Sequence, residues 1–382
     1  MKHNILIIAG EPSGDIRAGE LLKELKKLIP DTLLWGIGGD SMQKQGVELI
    51  EHIKNLSMIG VWEVIKNLSK IHHHYNSLTA VIKKRKPSLA ILIDYPGFNL
   101  RIAKFLKEQK IPVIYYIIPQ VWAWGTGRVK QLRKHVDTSL VLFDFEKSFL
   151  SKYNVNCEFV GHPLVDAAEN ALCRFPENSS LKNTIALLPG SRKHEIFNLF
   201  PVILDAAEKI KVKMKNIKFV VAENSNIDAS VYNSFLSEHP SLNISRVLDN
   251  TFAALAQSDF AIVTSGTATL ETALMEKPMI VIYKAAFITC LLYHIVRKIP
   301  FVGLVNIIAK KEIVPEMLQE KANAENISAK TLEILSNPAY MLSIKNDLQK
   351  VKSALGKKGS SHRAAETITR FIEENNIFPK EP

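Results

Sequence analysis

The chain has 382 residues, of which 47% are hydrophobic and 23% charged, with a formal net charge of +11 and an isoelectric point near 9.3. This length is too great for one ordinary core and fits two domains, and the balance is that of a globular protein, which excludes disorder as the default state. The basic charge asks for a negative partner: a phosphorylated small molecule, an anionic membrane surface or a nucleic acid.

From the N-terminus, the short apolar run Ile5 to Ala9 is too brief for a secretory signal and reads as part of a first strand, Asn4 to Ala9. A helix over Asp15 to Leu28 and a strand over Thr32 to Ile37 follow. Ser88 to Ile93 is a buried strand that ends in Asp94, then come a helix over Leu100 to Gln109 and a strand over Val113 to Ile118. Thr138 to Phe143 and Cys157 to Val160 complete the series. The breaker-rich stretch Glu169 to Asn183 reads as a linker. The alternation restarts with strands over Thr184 to Leu188, Lys218 to Ala222, Asn243 to Val247, Phe260 to Val263 and Met279 to Tyr283, with a helix over Phe200 to Met214. Continuous apolar strands alternating with helices predict two doubly wound α/β domains, over 1–168 and 184–349, with a cleft between them. The last helices, about 350–382, are free to pack back onto the first domain.

Other features set limits. The cysteines, Cys157, Cys173 and Cys290, form no CxxC pair, so neither a disulfide framework nor a zinc site is expected, and a reducing cytoplasm is. The longest apolar stretch, Ala285 to Val296, falls short of the roughly 20 residues a spanning helix needs. It could lie on a bilayer but not cross it. His72 to His74 have no second cluster beside them and suit a solvated helix face.

In a doubly wound sheet, ligands sit beyond the carboxyl ends of the strands. Four junctions there carry chemistry. Gly10, Glu11, Pro12, Ser13, Gly14 and Asp15 follow the first strand and form either a ligand loop or a tight turn with Ser13 or Asp15 capping the helix. Their spacing is not that of a dinucleotide loop. Asp94 ends a buried strand and is either a general base or a cap for the next helix. Leu188 to Arg192 is a small turn ending in a guanidinium, suited to a diphosphate, unless Arg192 is an ordinary surface residue. Ser265, Gly266 and Thr267 open a helix whose unpaired N–H groups would bind an anion, and Glu271 could accept from ribose hydroxyls or simply match the helix dipole. There is no Walker A sequence, and no interleaving of aromatic and basic residues, so no nucleic-acid partner is expected.

Together these segments resemble the lipid-A-disaccharide synthase family of Gram-negative bacteria, from end to end. The resemblance rests on GEPSGD (10–15), MIGVWEV (58–64), IDYPGFN (93–99), PQVWAW (119–124), VGHPLVD (160–166), LLPGSR (187–192), SGTATLE (265–271), NIIAKKEIVPEMLQ (306–319) and GSSHRAA (359–365).

The resemblance implies a GT-B glycosyltransferase that works with inversion and without metal or cofactor. The donor would be UDP-2,3-diacylglucosamine and the acceptor 2,3-diacylglucosamine 1-phosphate (lipid X), giving the β(1→6) disaccharide 1-phosphate and UDP. It implies that Asp94 is the base, that Asn306 contacts the nucleotide and that Glu271 serves the ribose. Arg192, Gly190, Ser191 and the Ser265–Thr267 turn would hold the diphosphate. Glu11, Ser13, Gly14, Asp15 and Gln120 would lie on the acceptor or diphosphate side. His162 is a site residue or a core histidine. The YPGFN loop departs from relatives that carry a second acid there, which rests the base on Asp94 alone.

Acylated substrates imply work at a membrane, peripheral to the inner face. Met58, Ile59, Val61, Trp62, Ile65 and Leu68 form an apolar strip broader than a core helix needs, though a core helix is the other reading. A homodimer is left open. The enzymatic rival is a nucleotide-sugar epimerase of the same fold.

Overall fold

The computed structural model describes residues 3–56, 68–124, 127–175, 183–284 and 300–378. Met58, Ile59, Val61, Trp62, Ile65 and the stretch Ala285 to Val296 lie outside them, and Leu68 enters only as the first residue of the helix Leu68–Arg85. The chain divides into two compact units. Unit 1 is Met1–Pro163 with Gly356–Pro382, and unit 2 is Leu164–Leu355.

Unit 1 is built on a seven-stranded parallel sheet in the order β3-β2-β1-β4-β5-β6-β7. The strands are β1 (His3–Ala9), β2 (Thr32–Gly38), β3 (Glu48–His52), β4 (Leu89–Ile93), β5 (Val113–Tyr116), β6 (Thr138–Val141) and β7 (Cys157–Phe159). Side chains alternate across it, and both faces are buried. On one face Leu6, Ile8, Ala90, Leu92, Val113 and Val141 share a core with Leu78 and Ile82 of the helix Leu68–Arg85. Ile102 and Leu106 of the helix Pro96–Glu108 and Val129 and Leu132 of the helix Gly127–His135 join the same core. Ile5, Ile7 and Ile91 alternate to the opposite face. The helices Pro12–Leu28 and Ser360–Glu374 pack on each other and add nothing to that first core.

Unit 2 holds a six-stranded parallel sheet in the order β10-β9-β8-β11-β12-β13. These are β8 (Thr184–Leu188), β9 (Lys218–Glu223), β10 (Ile244–Leu248), β11 (Phe260–Thr264), β12 (Met279–Tyr283) and β13 (Glu316–Leu318). Its core joins Leu187, Val221, Ile262 and Ile280 to Ile203 and Ala207 of the helix Lys193–Lys213 and to Ile327 of the helix Ala324–Leu335.

The structure corrects several sequence-based readings. Two edge strands, β3 and β13, were not expected, because they are short, half-buried and lack an apolar run. Helices begin earlier than apolar periodicity alone suggests: Pro12 and Pro96 occupy first-turn positions, where their missing N–H costs nothing. The helix Leu164–Arg174 extends into the stretch read as a linker and belongs to unit 2, where it packs on the helices Thr251–Ala256 and Thr267–Leu274.

In both sheets the strand order reverses at one point, between β1 and β4 in unit 1 and between β8 and β11 in unit 2. A crevice opens at such a switch point, beyond the carboxyl ends of the strands. No helix among the described residues is long and apolar enough to cross a membrane.

Candidate functional site

In unit 1 the switch point brings together the loops after β1 and β4, since Ala9 pairs with Ile93. Asp94 follows directly. It and Tyr95 both take left-handed backbone conformations, φ 48° and 49°. Their geometry is fixed by hydrogen bonds to the main chain. The Asp94 N–H donates to the Tyr116 carbonyl (3.1 Å), while its own carbonyl accepts from the Tyr115 hydroxyl (2.6 Å) and Asn99 Nδ2 (2.8 Å).

The helix Pro96–Glu108 takes Tyr95 as its N-cap, with no side chain capping it, so Asp94 is not the cap that the sequence also allowed. Its carboxylate pairs with no cation among the described residues. Burial first, and then the negative charge of Glu11, push its pKa up from 3.8 to about 6, against a smaller opposing effect of the Tyr95 N–H. A half-buried carboxylate poised near neutrality and free of a cation is suited to accept a proton.

Glu11 is exposed, as the N-cap of the helix Pro12–Leu28, and Ser13 is exposed beside it. Asp15 is a correction. It is buried and does not cap its own helix. Its carboxylate accepts the N–H groups of Gly39 (2.7 Å), Ser41 (2.9 Å) and Met42 (3.1 Å), capping the adjacent helix Asp40–Lys44. Gly14 is buried beside Ala9 and Ile93. Gly10 is small for the sake of a tyrosine: a Cβ there would stand 2.1 Å from Tyr95 Cδ1. Gln120 is exposed at the turn after β5.

Next to that turn, Trp122 donates to the buried Glu146 (3.0 Å), which also accepts from Leu142 and Phe143 N–H. His162 is buried near Phe143, and desolvation pushes its pKa down to about 3, which keeps it neutral.

In unit 2 the switch point forms a pocket of about 360 Å³, within the range of small-molecule sites. Gly190, Ser191, Arg192, Ser265, Gly266, Thr267 and Glu271 all line it. Arg192 opens the helix Lys193–Lys213 with its side chain 73% exposed, steadied by Glu195 at 3.1 Å. Glu195 was missed in the sequence, though its place three residues after the cap is the signal of a capping box. Its Oε2 accepts the N–H groups of Ser191 (3.0 Å) and Arg192 (3.1 Å), so that turn offers the guanidinium rather than those amides. Gly190 has φ 110°, and a Cβ there would lie 2.4 Å from Glu195 Oε2.

The amides come from the other loop. The helix Thr267–Leu274 starts at Gly266, whose φ of 153° with ψ −158° is open to glycine alone, and no side chain caps it. Ser265 N–H is used by Ile282 and Thr269 N–H by Gly266, but the N–H groups of Gly266, Thr267 and Ala268 meet no acceptor among the described residues. These groups and the helix dipole suit an anion. The Ser265 hydroxyl is committed to Val302 O (3.1 Å), so Ser265 shapes the loop.

Asn306 is wholly buried and absent from the pocket wall. Its Nδ2 donates to Val314 O and Glu316 Oε1, and its Oδ1 accepts from Ile313 and Val314 N–H. All four hydrogen-bonding positions of the amide are used within the protein. Asn306 holds the segment that leads into β13. Glu223, Asn224, Asp249 and Thr251, at the ends of β9 and β10, complete the pocket. No sequence motif marked them.

The model of the family described as lipid-A-disaccharide synthetase matches residues 5–371. A lipid-A-disaccharide synthase of Coxiella burnetii is 36% identical over 375 residues, covering 97% of this chain and 98% of its own. One of Geobacter sulfurreducens is 36% identical, with 97% of each chain covered. Among solved structures, a UDP-N-acetylglucosamine 2-epimerase, so described as putative, of Listeria monocytogenes superposes with a TM-score of 0.66 at 14% identity, covering 98% of both chains. The glycotransferase of kitacinnamycin gives 0.63 at 15% identity, covering 96% of this chain and 98% of its own. These two likenesses establish the GT-B fold and nothing about activity.

Proposed function

The chain belongs to the lipid-A-disaccharide synthetase family, and we propose that its two units carry separate halves of the glycosyl transfer. The activity is lipid A disaccharide synthesis. In the reading we favour, unit 2 holds UDP-2,3-diacylglucosamine. Its diphosphate lies against the N–H groups of Gly266, Thr267 and Ala268 and the Arg192 guanidinium, and Glu271 lies on the ribose side. Unit 1 receives 2,3-diacylglucosamine 1-phosphate near Asp94, with Glu11, Ser13 and Gln120 at the rim.

The acceptor 6-hydroxyl oxygen attacks the anomeric carbon of the donor as the bond from that carbon to the diphosphate oxygen breaks. Asp94 takes the hydroxyl proton, and UDP leaves with the bonding pair. Charge grows on the leaving diphosphate, and pre-aimed amides and a guanidinium lower the barrier because they need no reorganisation at that moment.

The observation that carries the base assignment is the Asp94 carboxylate: cation-free among the described residues, half-buried and titrating near neutrality. Its test is Asp94→Ala with both substrates. Turnover should vanish while UDP still binds, and retained turnover would end the assignment. Omitting the acceptor separates synthesis from epimerisation, because a synthase releases no UDP without it.

The same reading places the enzyme at an anionic membrane face. The helices Leu68–Arg85, Pro96–Glu108 and Gly127–His135 line one side of the unit 1 sheet and carry eleven lysines and arginines against one acid, Glu108. The helices Pro12–Leu28 and Ser360–Glu374 carry six cations and six acids. So lopsided a surface suits anionic lipid headgroups. Sedimentation with anionic and zwitterionic vesicles tests it, and equal partition to both would contradict it.

A further inference from the structure

Two left-handed residues in succession, neither of them glycine, are unfavourable at the end of a central strand, and such backbone persists only where its surroundings enforce it. The enforcement at Asp94 and Tyr95 is specific. Tyr115 and Asn99 are both wholly buried and both donate to the Asp94 carbonyl, and Asn99 Nδ2 also reaches Ile93 O (3.2 Å). The Tyr95 ring lies over Gly10 and 5.7 Å from Phe98. Asn99 Oδ1 is buried with no partner among the described residues. An amide selected only to pack would not leave a polar atom so stranded, and an apolar side chain would avoid that cost.

The left-handed turn has a chemical consequence. A carboxylate leaving a strand just before a helix ordinarily folds onto the first turn and accepts its N–H groups, which makes it a poor base. Here the chain turns at Asp94 instead, and the helix Pro96–Glu108 is left without a side-chain cap.

We infer that Asn99 and Tyr115 are positioning residues: by gripping the Asp94 carbonyl they hold the backbone conformation that keeps the Asp94 carboxylate off the helix and free to take the acceptor's proton. The inference rests on the reading of Asp94 as the base.

Tyr115→Phe deletes one hydroxyl and keeps the ring, and Asn99→Ala deletes the other grip. Each should lower kcat about tenfold or more while the inhibition constant for UDP stays within about twofold, because the nucleotide pocket is in unit 2. In an Asp94→Glu background, where the carboxylate has already moved, Tyr115→Phe should cost at least about fivefold less than in the native enzyme, since groups acting through one another are not additive. Unchanged kcat in both variants, a parallel loss of UDP affinity, or full additivity with Asp94→Glu would overturn the inference. An inactive Asp94→Asn beside fully active Tyr115→Phe and Asn99→Ala sinks the inference alone, whereas a fully active Asp94→Asn sinks the base assignment first.

Discussion

Asp94→Asn should make the protein more stable at neutral pH while it abolishes turnover. The native carboxyl has its pKa raised from 3.8 to about 6 by burial and by Glu11. An acid whose folded pKa lies above its unfolded value loses stability when it ionises. The cost is absent below the unfolded pKa, grows as pH rises, and is complete above the folded one. A shift of roughly two units corresponds to about 3 kcal/mol, an upper bound because part of the carboxyl meets solvent. Asparagine keeps the shape and removes the charge.

The gain should therefore be greatest at pH 7.5, at most about 3 kcal/mol, and fall to about half its maximum at pH 5 and about a fifth at pH 4. For a domain of this size, thermal unfolding at pH 7.5 should shift upward by up to about 6–12 °C. Melting curves of wild type and Asp94→Asn at these three pH values read the trend. A variant equally stable at every pH, or less stable at pH 7.5, would refute the account of a desolvated carboxylate held at a site for function.

The rate of the native enzyme should rise through about pH 6, and Glu11→Gln should move that rise to lower pH by removing the like charge; an unmoved profile would exclude Glu11 as an influence on the base. Arg192→Ala should weaken UDP inhibition roughly tenfold, about 1.4 kcal/mol, a modest loss because the guanidinium is largely exposed in the free protein. Gly190→Ala should cost about 1–3 kcal/mol, since it strains a positive-φ position and strikes Glu195, and chemical denaturation measures it. Asn306→Ala should destabilise by about 2–5 kcal/mol by stranding buried main-chain groups around Val314. Its defect should show in melting temperature more than in UDP affinity.

Much of this fold was legible because buried parallel strands are short continuous apolar runs: Thr184 to Leu188 and Met279 to Tyr283 stand in the sequence as they do in the structure. The edge strands β3 and β13 were not, because Glu48–His52 and Glu316–Leu318 are half-exposed and carry no such run. Of the site, the residues at loop tips were legible, since Gly190, Arg192, Gly266, Thr267, Ala268 and Glu271 follow strand ends and line one pocket. The residues whose role depends on distant main chain were not. Asp15 reads locally as a cap for its own helix but serves Gly39 to Met42, more than twenty residues away. Asn306 sits in a motif, yet its four hydrogen bonds all close a loop. Asn99 and Tyr115 give no sign in sequence of meeting at one carbonyl.

The most direct test of the account is a mass spectrum of the products formed from UDP-2,3-diacylglucosamine with and without 2,3-diacylglucosamine 1-phosphate. It should show a tetraacyl disaccharide 1-phosphate and UDP only when both are present. A nucleotide-sugar isomer, or UDP released without acceptor, would contradict it.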